Sequence, residues 1–504
     1  MSKHLDHWQR LSPLSVIFFI GKFLVRLIKD GLSTFAPLLI IILASSNKLI
    51  MMAVLGAGLL TLMLGGSVLQ FWFFKFRQHD DQILINDGVF QKNHRVIRFE
   101  RVQNINLLSP IYFRPFGLVT LQVETAGSKD NEADLAGIPI ATAEQLRRQI
   151  LDYQQSSRGK HATETATVEN HENSTIVASA SLRDLLAYGV SSNSVFLFLA
   201  ILGPVVGAFF NSFEDATEEM IKQNIIPIIN SHGGGFPGNF MLGLVLLAGL
   251  IALMFLFSIL GSIYRYYGYQ LSRKQQTLKR QSGLLTRFEE SLKLVKVQTF
   301  VTQSNIIGRW IKRQNVILGQ VVSAQNGTQG KRNIFIIPAR TAEQIPALKS
   351  LVFADAPTDI AENKIDRRYI IKTWLLWFLL PLVLPSIPLS MKIGFWFFAV
   401  PILSSLIILP LVIKHWSMFR YGFTRTFGIY QSGLFGFKRT LFPLYKVQHT
   451  VIKQSPLQRR RKLATLKIHL AAGSIVIPYI PMQLAKQYVE TIRTATEVNK
   501  SPWY

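Results

Sequence analysis

Charged residues disappear from the chain in six stretches, roughly 32–46, 49–74, 195–210, 240–263, 373–391 and 393–413. A helix needs about 20 apolar residues to cross the hydrocarbon core, within a range of about 17–25. Four stretches meet that length, whereas the first and third meet it only if their ends extend or the bilayer thins. Trp72, Trp374, Trp377, Trp396 and Trp416 fall near stretch ends, as an interfacial aromatic belt requires. The stretches pair into three helical hairpins. The connection inside the second pair carries Glu214, Asp215, Glu218 and Glu219 against Lys222 alone, while the segments after each hairpin hold most of the Lys and Arg. Positive-inside bias therefore places both termini and three large segments in the cytoplasm. Residues 13–29 are also apolar, but Lys22, Arg26 and Lys29 recur at i, i+4 and i+7 along one stripe. That pattern predicts a helix lying in the membrane interface rather than a seventh span. Residues 181–188 and 366–372 stand at the same place before the other hairpins, so the elbow is repeated.

Each hairpin is followed by the same polar unit. A turn glycine comes first, and thirteen to fifteen residues later a basic residue, Val and Gln: Gly88 with Arg101-Val102-Gln103, Gly283 with Lys296-Val297-Gln298, Gly433 with Lys446-Val447-Gln448. Identical spacing in three copies marks an internal repeat. A serine turn follows at Ser109-Pro110, Ser304-Asn305 and Ser455-Pro456. Later each copy reaches a Pro with Ala four residues on: Pro139/Ala143, Pro338/Ala342 and Pro481/Ala485. Between these anchors, 118–124, 316–323 and 463–470 alternate or are β-branched and predict strands. Past the Pro the period becomes helical, with Leu146, Ile150 and Tyr153 on one face in the first copy and Leu484, Tyr488 and Thr491 in the third. The spacing predicts an antiparallel sheet closed by a C-terminal helix, the layout of a pleckstrin-homology (PH) fold. The expected fold class is a multi-domain α+β membrane protein, with three transmembrane hairpins alternating with three PH-like domains. The divisions are 1–74 for the interfacial helix and first hairpin, 75–155 for the first unit, and 156–180 for a linker. Then come 181–264 and 360–414 for the other hairpins, with 265–355 and 415–504 for their units. The linker, rich in Ser, Thr, Glu, Asn and His, has little to bury and reads as flexible.

This order of hairpin, turn glycine, basic-Val-Gln, serine turn, strand, Pro and helix resembles the bacterial membrane PH-domain proteins of the YdbT-like family. The resemblance covers nearly the whole chain outside the linker. It implies a protein of the bacterial inner membrane whose PH units bind lipid or protein partners, another membrane PH-domain protein among them, without catalysis. The second copy departs most, because residues 310–315 replace the Arg-x-x-Gly-Leu turn that the first copy has at 114–118.

Composition narrows the chemistry. With no cysteine among 504 residues, disulfides, thiolate nucleophiles and iron–sulfur clusters are excluded. The net charge of +26 calls for an acidic partner or surface. It is uneven: residues 75–155 hold 10 basic and 10 acidic side chains, 265–364 hold 16 and 6, and 414–504 hold 15 and 2. For a protein fixed in a bilayer, anionic headgroups come before nucleic acid, so no nucleic-acid partner is expected. The candidate headgroup ligands are the run Arg459, Arg460, Arg461 and Lys462 after the third serine turn, with Arg309, Lys312 and Arg313 at the related place in the second copy. The glycines and basic-Val-Gln triplets read as structural, with Val in the core and Gln bonding backbone. No His-Glu-x-x-His and no phosphate loop after a strand is present. His415, His449 and His469 lack nearby carboxylates, so neither metal nor cofactor is expected. A lipid-handling or solute transporter built from the six helices is the alternative. It is weakened by uncharged spans and kept open by Pro381, Pro385, Pro388 and Pro401, which should break the last two.

Overall fold

The computed structural model describes residues 7–24, 47–89, 91–125, 133–159, 175–191, 236–320, 334–384, 386, 394 and 396–498. Arg26, Lys29, the stretches at 32–46 and 195–210, the acidic connection and linker residues 160–174 lie outside them. Among the described residues three helices are long and apolar enough to cross a bilayer: Lys48–Phe73, Phe236–Tyr266 and Trp396–Met418. Their sides are almost wholly uncovered by the rest of the chain, as lipid-facing helices are. Pro401 and Pro410 lie inside the third, which continues through them, so Pro401 does not break the span.

Each of these helices runs directly into a sheet. In the first unit the strands are β1 (Gln9–Arg10), β2 (Lys75–His79), β3 (Gln82–Asp87), β4 (Asn93–Arg98), β5 (Val102–Pro110), β6 (Leu118–Thr125) and β7 (Ala133–Pro139). The second unit has β8 (Thr175–Ser179), β9 (Gln270–Lys274), β10 (Thr277–Ser282), β11 (Thr286–Lys293), β12 (Val297–Ser304), β13 (Gln314–Gln320) and β14 (Ile334–Arg340). The third has β15 (Arg420–Phe423), β16 (Phe427–Ser432), β17 (Phe437–Pro443), β18 (Val447–Lys453), β19 (Leu463–Leu470) and β20 (Gly473–Pro481). A strand from before the membrane segment pairs with the one after it: Gln9 faces Phe76 and Ser179 faces Gln270. In the third unit the equivalent is a single bridge between Asn363 and Tyr421. The tail of the polar linker is therefore sheet. Its low apolar content concealed β8, an edge strand that needs backbone pairing more than buried side chains.

A lead-in helix follows each such segment and packs on the last strand of its own unit. In Ser15–Leu24, Ser15 Oγ donates to Ala136 O at 2.7 Å, and Lys22 pairs with Asp134 at 3.2 Å. In Leu182–Ser191, Leu185 is buried in the core of the second unit. Before Arg368–Trp374, Asp366 N donates to Tyr479 O at 2.9 Å. The packed positions coincide with left-handed residues Gly137, Ala339 and Tyr479, at φ 73°, 48° and 54°. Strand register makes these three equivalent, since Leu135, Ile337 and Ile477, each two residues earlier, face Leu121, Val316 and Leu466. Thr341, not Pro338, thus matches Pro139 and Pro481. The sequence alignment of Pro338/Ala342 is displaced by three residues because Ile-Pro occurs early in the second copy. In the closing helix Met482–Val498 the buried residues are Ala485 and Ile492, with Tyr488 and Val489 beside them, so Leu484 and Thr491 flank the core face instead of forming it.

The basic-Val-Gln triplet forms the corner between the two sheets of a unit. A one-turn 3-10 helix ends on the basic residue at Phe99–Arg101, Leu294–Lys296 and Leu444–Lys446. The valine that follows is buried in every copy. The glutamine sits where strand register shifts, between Val102 and Asn104, Val297 and Thr299, and Val447 and His449. It is a bulge residue, and the bulge bends the strand away from the first sheet. Gly88 and Gly283 take φ 105° and 122°, whereas Gly433 has no such φ and is glycine because a Cβ there would strike the Gly436 carbonyl.

The units are not separate sheets. β5 pairs with β11, Leu107 opposite Glu289 and Ser109 opposite Arg287, giving the seven-stranded order β7-β6-β5-β11-β10-β9-β8. β12 pairs with β17, Thr302 opposite Arg439 and Ser304 opposite Phe437, giving β14-β13-β12-β17-β16-β15. Counted from triplet glutamine and turn glycine, the two seams share one register. At the first seam Arg147 reaches Glu289 at 2.6 Å and Ser291 at 2.7 Å. Burial alone would raise the Glu289 carboxyl, but hydrogen bonds from Lys279 and Arg147 hold it below the usual range. At the second seam Lys446, 2% exposed, donates to Val295 O at 2.6 Å and Val297 O at 2.7 Å. Burial lowers its pKa to about 8.

Replacing Lys446 by Met leaves two buried carbonyls unpaired and should cost about 1–3 kcal/mol. The unfolded chain holds the lysine proton up to about pH 10.4, so wild-type stability should rise as pH climbs from about 8 toward that value. The gap between wild type and variant should therefore widen from pH 7 to 10 in thermal unfolding. A constant gap would mean the amine keeps its proton throughout.

Candidate anion site at the second seam

The serine turns end alike but are built differently. In the second unit the Asn305 side chain accepts from Gly308 N at 2.7 Å and caps the short helix Ile306–Trp310, while Ser304 Oγ donates to Arg313 O at 2.9 Å. In the third, Ser455 and Gln458 form a reciprocal capping box with Pro456 at the first helical position. In the first, Arg114 Nε donates to Ser109 O at 3.2 Å. Each turn closes on a left-handed residue, Gly117, Lys312 or Lys462, at φ 63°, 55° and 54°. The departure of residues 310–315 from the first copy therefore keeps the left-handed closing residue but not the turn before it, a 3-10 turn at Arg114–Phe116 in the first copy and the α-turn Ile306–Trp310 in the second.

Hydrogen bonds place the second serine turn beside the membrane end of a span. His415 Nδ1, near the end of Trp396–Met418, lies 2.6 Å from Gly433 O in the turn before β17, and Arg309 Nη1 donates to Phe435 O in that same turn at 3.1 Å. Trp310 stands 86% exposed there, with Ile306 also exposed. Behind the turn the seam borders a half-open cavity of about 560 Å³, reaching the span at Ser417 and Met418. Arg309, Lys349, Arg420 and Arg439 line it, and Phe300, Phe437 and Leu441 form apolar wall. Glu362 pairs with Arg439 and lies 3.8 Å from Arg420. Lys349 Nζ donates to Pro357 O at 2.9 Å, and burial, reinforced by the charge of Arg439, lowers its pKa. Asp359 lies near enough to Lys349 to oppose that shift, and four cations against Glu362 and Asp359 leave an excess of positive charge facing an open space.

The sequence candidates divide. Arg309 lines the cavity, and Lys312 is exposed nearby. Arg313 is committed to structure: it pairs with Asp184 at 3.0 Å and donates to Ala339 O at 3.2 Å, tying the turn to its lead-in helix. Arg459, Arg460, Arg461 and Lys462 are all exposed around the third serine turn and do not line the cavity. Lys349, Arg420 and Arg439 had no local signal, and only the excess of basic residues in the last two units pointed toward them. The triplet cations differ in surroundings, Arg101 being exposed and Lys446 buried. His449 and His469 stack with centroids 4.1 Å apart, and no group of three metal-ligating side chains occurs among the described residues.

A family model for the bacterial PH domain matches residues 17–154, 228–352 and 376–496. The chain belongs to that family. It is 24% identical over 333 residues to the UPF0699 transmembrane protein YdbT of Bacillus subtilis (strain 168), an alignment covering 64% of either chain. It is also 37% identical over 68 residues to the UPF0699 transmembrane protein YdbS of the same organism, covering 14% of this chain and 43% of that one. The aligned stretches thus span less than two thirds of the length of either relative. The match supports a membrane protein with three PH regions, as the repeated motif implied.

A double-mutant cycle on Asp184 and Arg313 (Asn and Gln replacements, thermal unfolding in detergent) should return a coupling of about 0.5–1 kcal/mol, that of a partly exposed ion pair. Zero coupling would leave the turn held by its backbone bonds alone.

Proposed function

We propose that this protein is a non-enzymatic array anchored in a bacterial inner membrane, whose three cytoplasmic PH units hold anionic lipid headgroups and, beside them, protein partners. The cavity at the second seam carries the reading. It joins four cations to apolar wall beside the end of a span, which is the chemistry of a phosphate with acyl chains attached. Trp310 and Ile306 supply apolar groups able to enter the interface next to it. The exposed run Arg459–Lys462 adds attraction to an anionic surface, about 1 kcal/mol per cation. The pairing of β1 with β2 supports an even number of crossings between residues 10 and 75, and hence a lead-in helix at 13–29 rather than a seventh span.

Full-length protein in detergent should retain phosphatidylglycerol over phosphatidylcholine in native mass spectrometry. Replacing Arg309, Lys349 and Arg420 together by Gln should weaken that preference by on the order of a hundredfold, at about 1 kcal/mol per cation. Gln at all four of Arg459–Lys462 should instead weaken capture of the whole protein by anionic vesicles, an effect that salt should mimic. Equal retention of both lipids by the wild type would overturn the headgroup reading. Topology is tested separately by single cysteines. An impermeant thiol reagent should label Ser212→Cys and Ser390→Cys on intact cells and spare Ser2→Cys, whose labelling would establish a seventh span.

A further inference from the structure

Both internal seams are built from the same two halves, and each end of the array carries one half unused. Among the described residues β4 ends its four-stranded sheet and β18 ends its three-stranded sheet. They are the counterparts of β11 and β17 on one side and of β5 and β12 on the other. We propose that β18 of one chain pairs antiparallel with β4 of a second copy, making a third seam that links copies head to tail in the plane of the membrane.

Equivalent residues carry the argument. Eight positions after the turn glycine stand Val96, Ser291 and Leu441. Leu441 is 5% exposed and packs opposite Phe300 across the second seam, and Ser291 receives Arg147 across the first. Val96, with no seam over it, is 52% exposed. Thirteen positions after the glycine stand Arg101, Lys296 and Lys446. Lys446 is the buried strut that spans the second seam to Val295 O and Val297 O, whereas Arg101 is exposed. The third unit offers the matching carbonyls at Tyr445 and Val447. In the shared register Val96 would face Thr450, as Leu441 faces Phe300.

Charge selects the second copy's first unit over its third. The first unit balances 10 basic against 10 acidic side chains over 75–155, while 414–504 hold 15 against 2. Two third units would repel, whereas a balanced first unit docks on a basic third without that cost. Adding a strand to an open edge is an established mode of recognition. A contact between two different faces of one molecule closes into a ring or continues as a chain. The inference concerns assembly alone and does not rest on headgroup binding.

The chain has no cysteine, so a designed pair is unambiguous. Full-length Val96→Cys/Thr450→Cys, oxidised in native membranes, should give a ladder of dimers, trimers and larger species on a non-reducing gel. The two single variants expressed together should stop at dimers. Shifting the pair to Val96→Cys/His449→Cys, whose side chains leave opposite faces, should remove most of the ladder. In a cysteine-free background, Val96→Lys/Arg101→Glu should move the detergent-solubilised mass toward a single chain. Because both sites are exposed, the melting temperature should change little. Monomer alone from the first pair, an equal ladder from the shifted pair, a Thr450→Cys crosslink to a different polypeptide, or an unchanged mass in the last variant would each overturn the proposal.

Discussion

An edge strand leaves a row of backbone N–H and C=O groups without partners, and a protein must pair, cover or charge that row. This chain pairs the rows between consecutive units. The corner made by each basic-Val-Gln triplet turns a unit's second sheet away from its first, which exposes β5 and β12, and the next unit supplies β11 and β17 to them. Everything that distinguishes the array from three tethered domains follows from that exchange: one register at both seams, the buried Lys446 strut, and the cavity between Lys349 and Arg420. Removing the middle unit would uncover two edges, β5 and β17, and either outer unit one, so the PH units here are parts of one continuous body.

The membrane segments are fastened by the same economy of backbone pairing. In the first two units a strand before the membrane segment pairs with the strand after it, and in the third a single bridge does the same, so both ends of each membrane segment meet at one sheet edge. Aromatic and basic side chains reinforce the junction. Arg10 lies over the Trp72 ring, Lys364 and Arg367 over Trp416, and Trp416 Nε1 donates to Ile365 O at 2.9 Å. On the helix Phe236–Tyr266, Ser258 and Ser262 donate to backbone carbonyls of the lead-in helix, at Gly189 and Leu185. The carbonyls reached lie where helix meets helix, out of contact with water, and the serines satisfy them.

The repeat was legible because its anchors are backbone requirements. A left-handed turn selects Gly88 and Gly283, a bulge fixes the spacing to Gln103, Gln298 and Gln448, and an interior position keeps Val102, Val297 and Val447. Features without such a requirement stayed hidden. β8 looks like linker because its sheet partner, not its own apolar content, orders it. Pro338 misled because Ile-Pro recurs three residues early while the true corner residue is Thr341. The seams were unreadable in principle: Ser304 and Phe437 lie far apart in sequence, and nothing local in either strand names the other. For the same reason the cavity cations, scattered from Arg309 to Arg439, gave no motif.

Continuity of the sheet also sets a timetable for synthesis. The ribosome makes β5 well before β11, with roughly 180 residues and the apolar helix Phe236–Tyr266 between them, a wait of about 10–35 seconds at ordinary elongation rates. Until Thr286–Glu289 emerge, the residues that will face them, Leu107 to Pro110, belong to an open strand on a nascent chain already inserted in the bilayer. The array must therefore fold from its N-terminus with one sheet always unfinished. Neighbouring ribosomes on one message hold identical unfinished sheets close together, so spacing along the message bears on whether each strand finds its own chain.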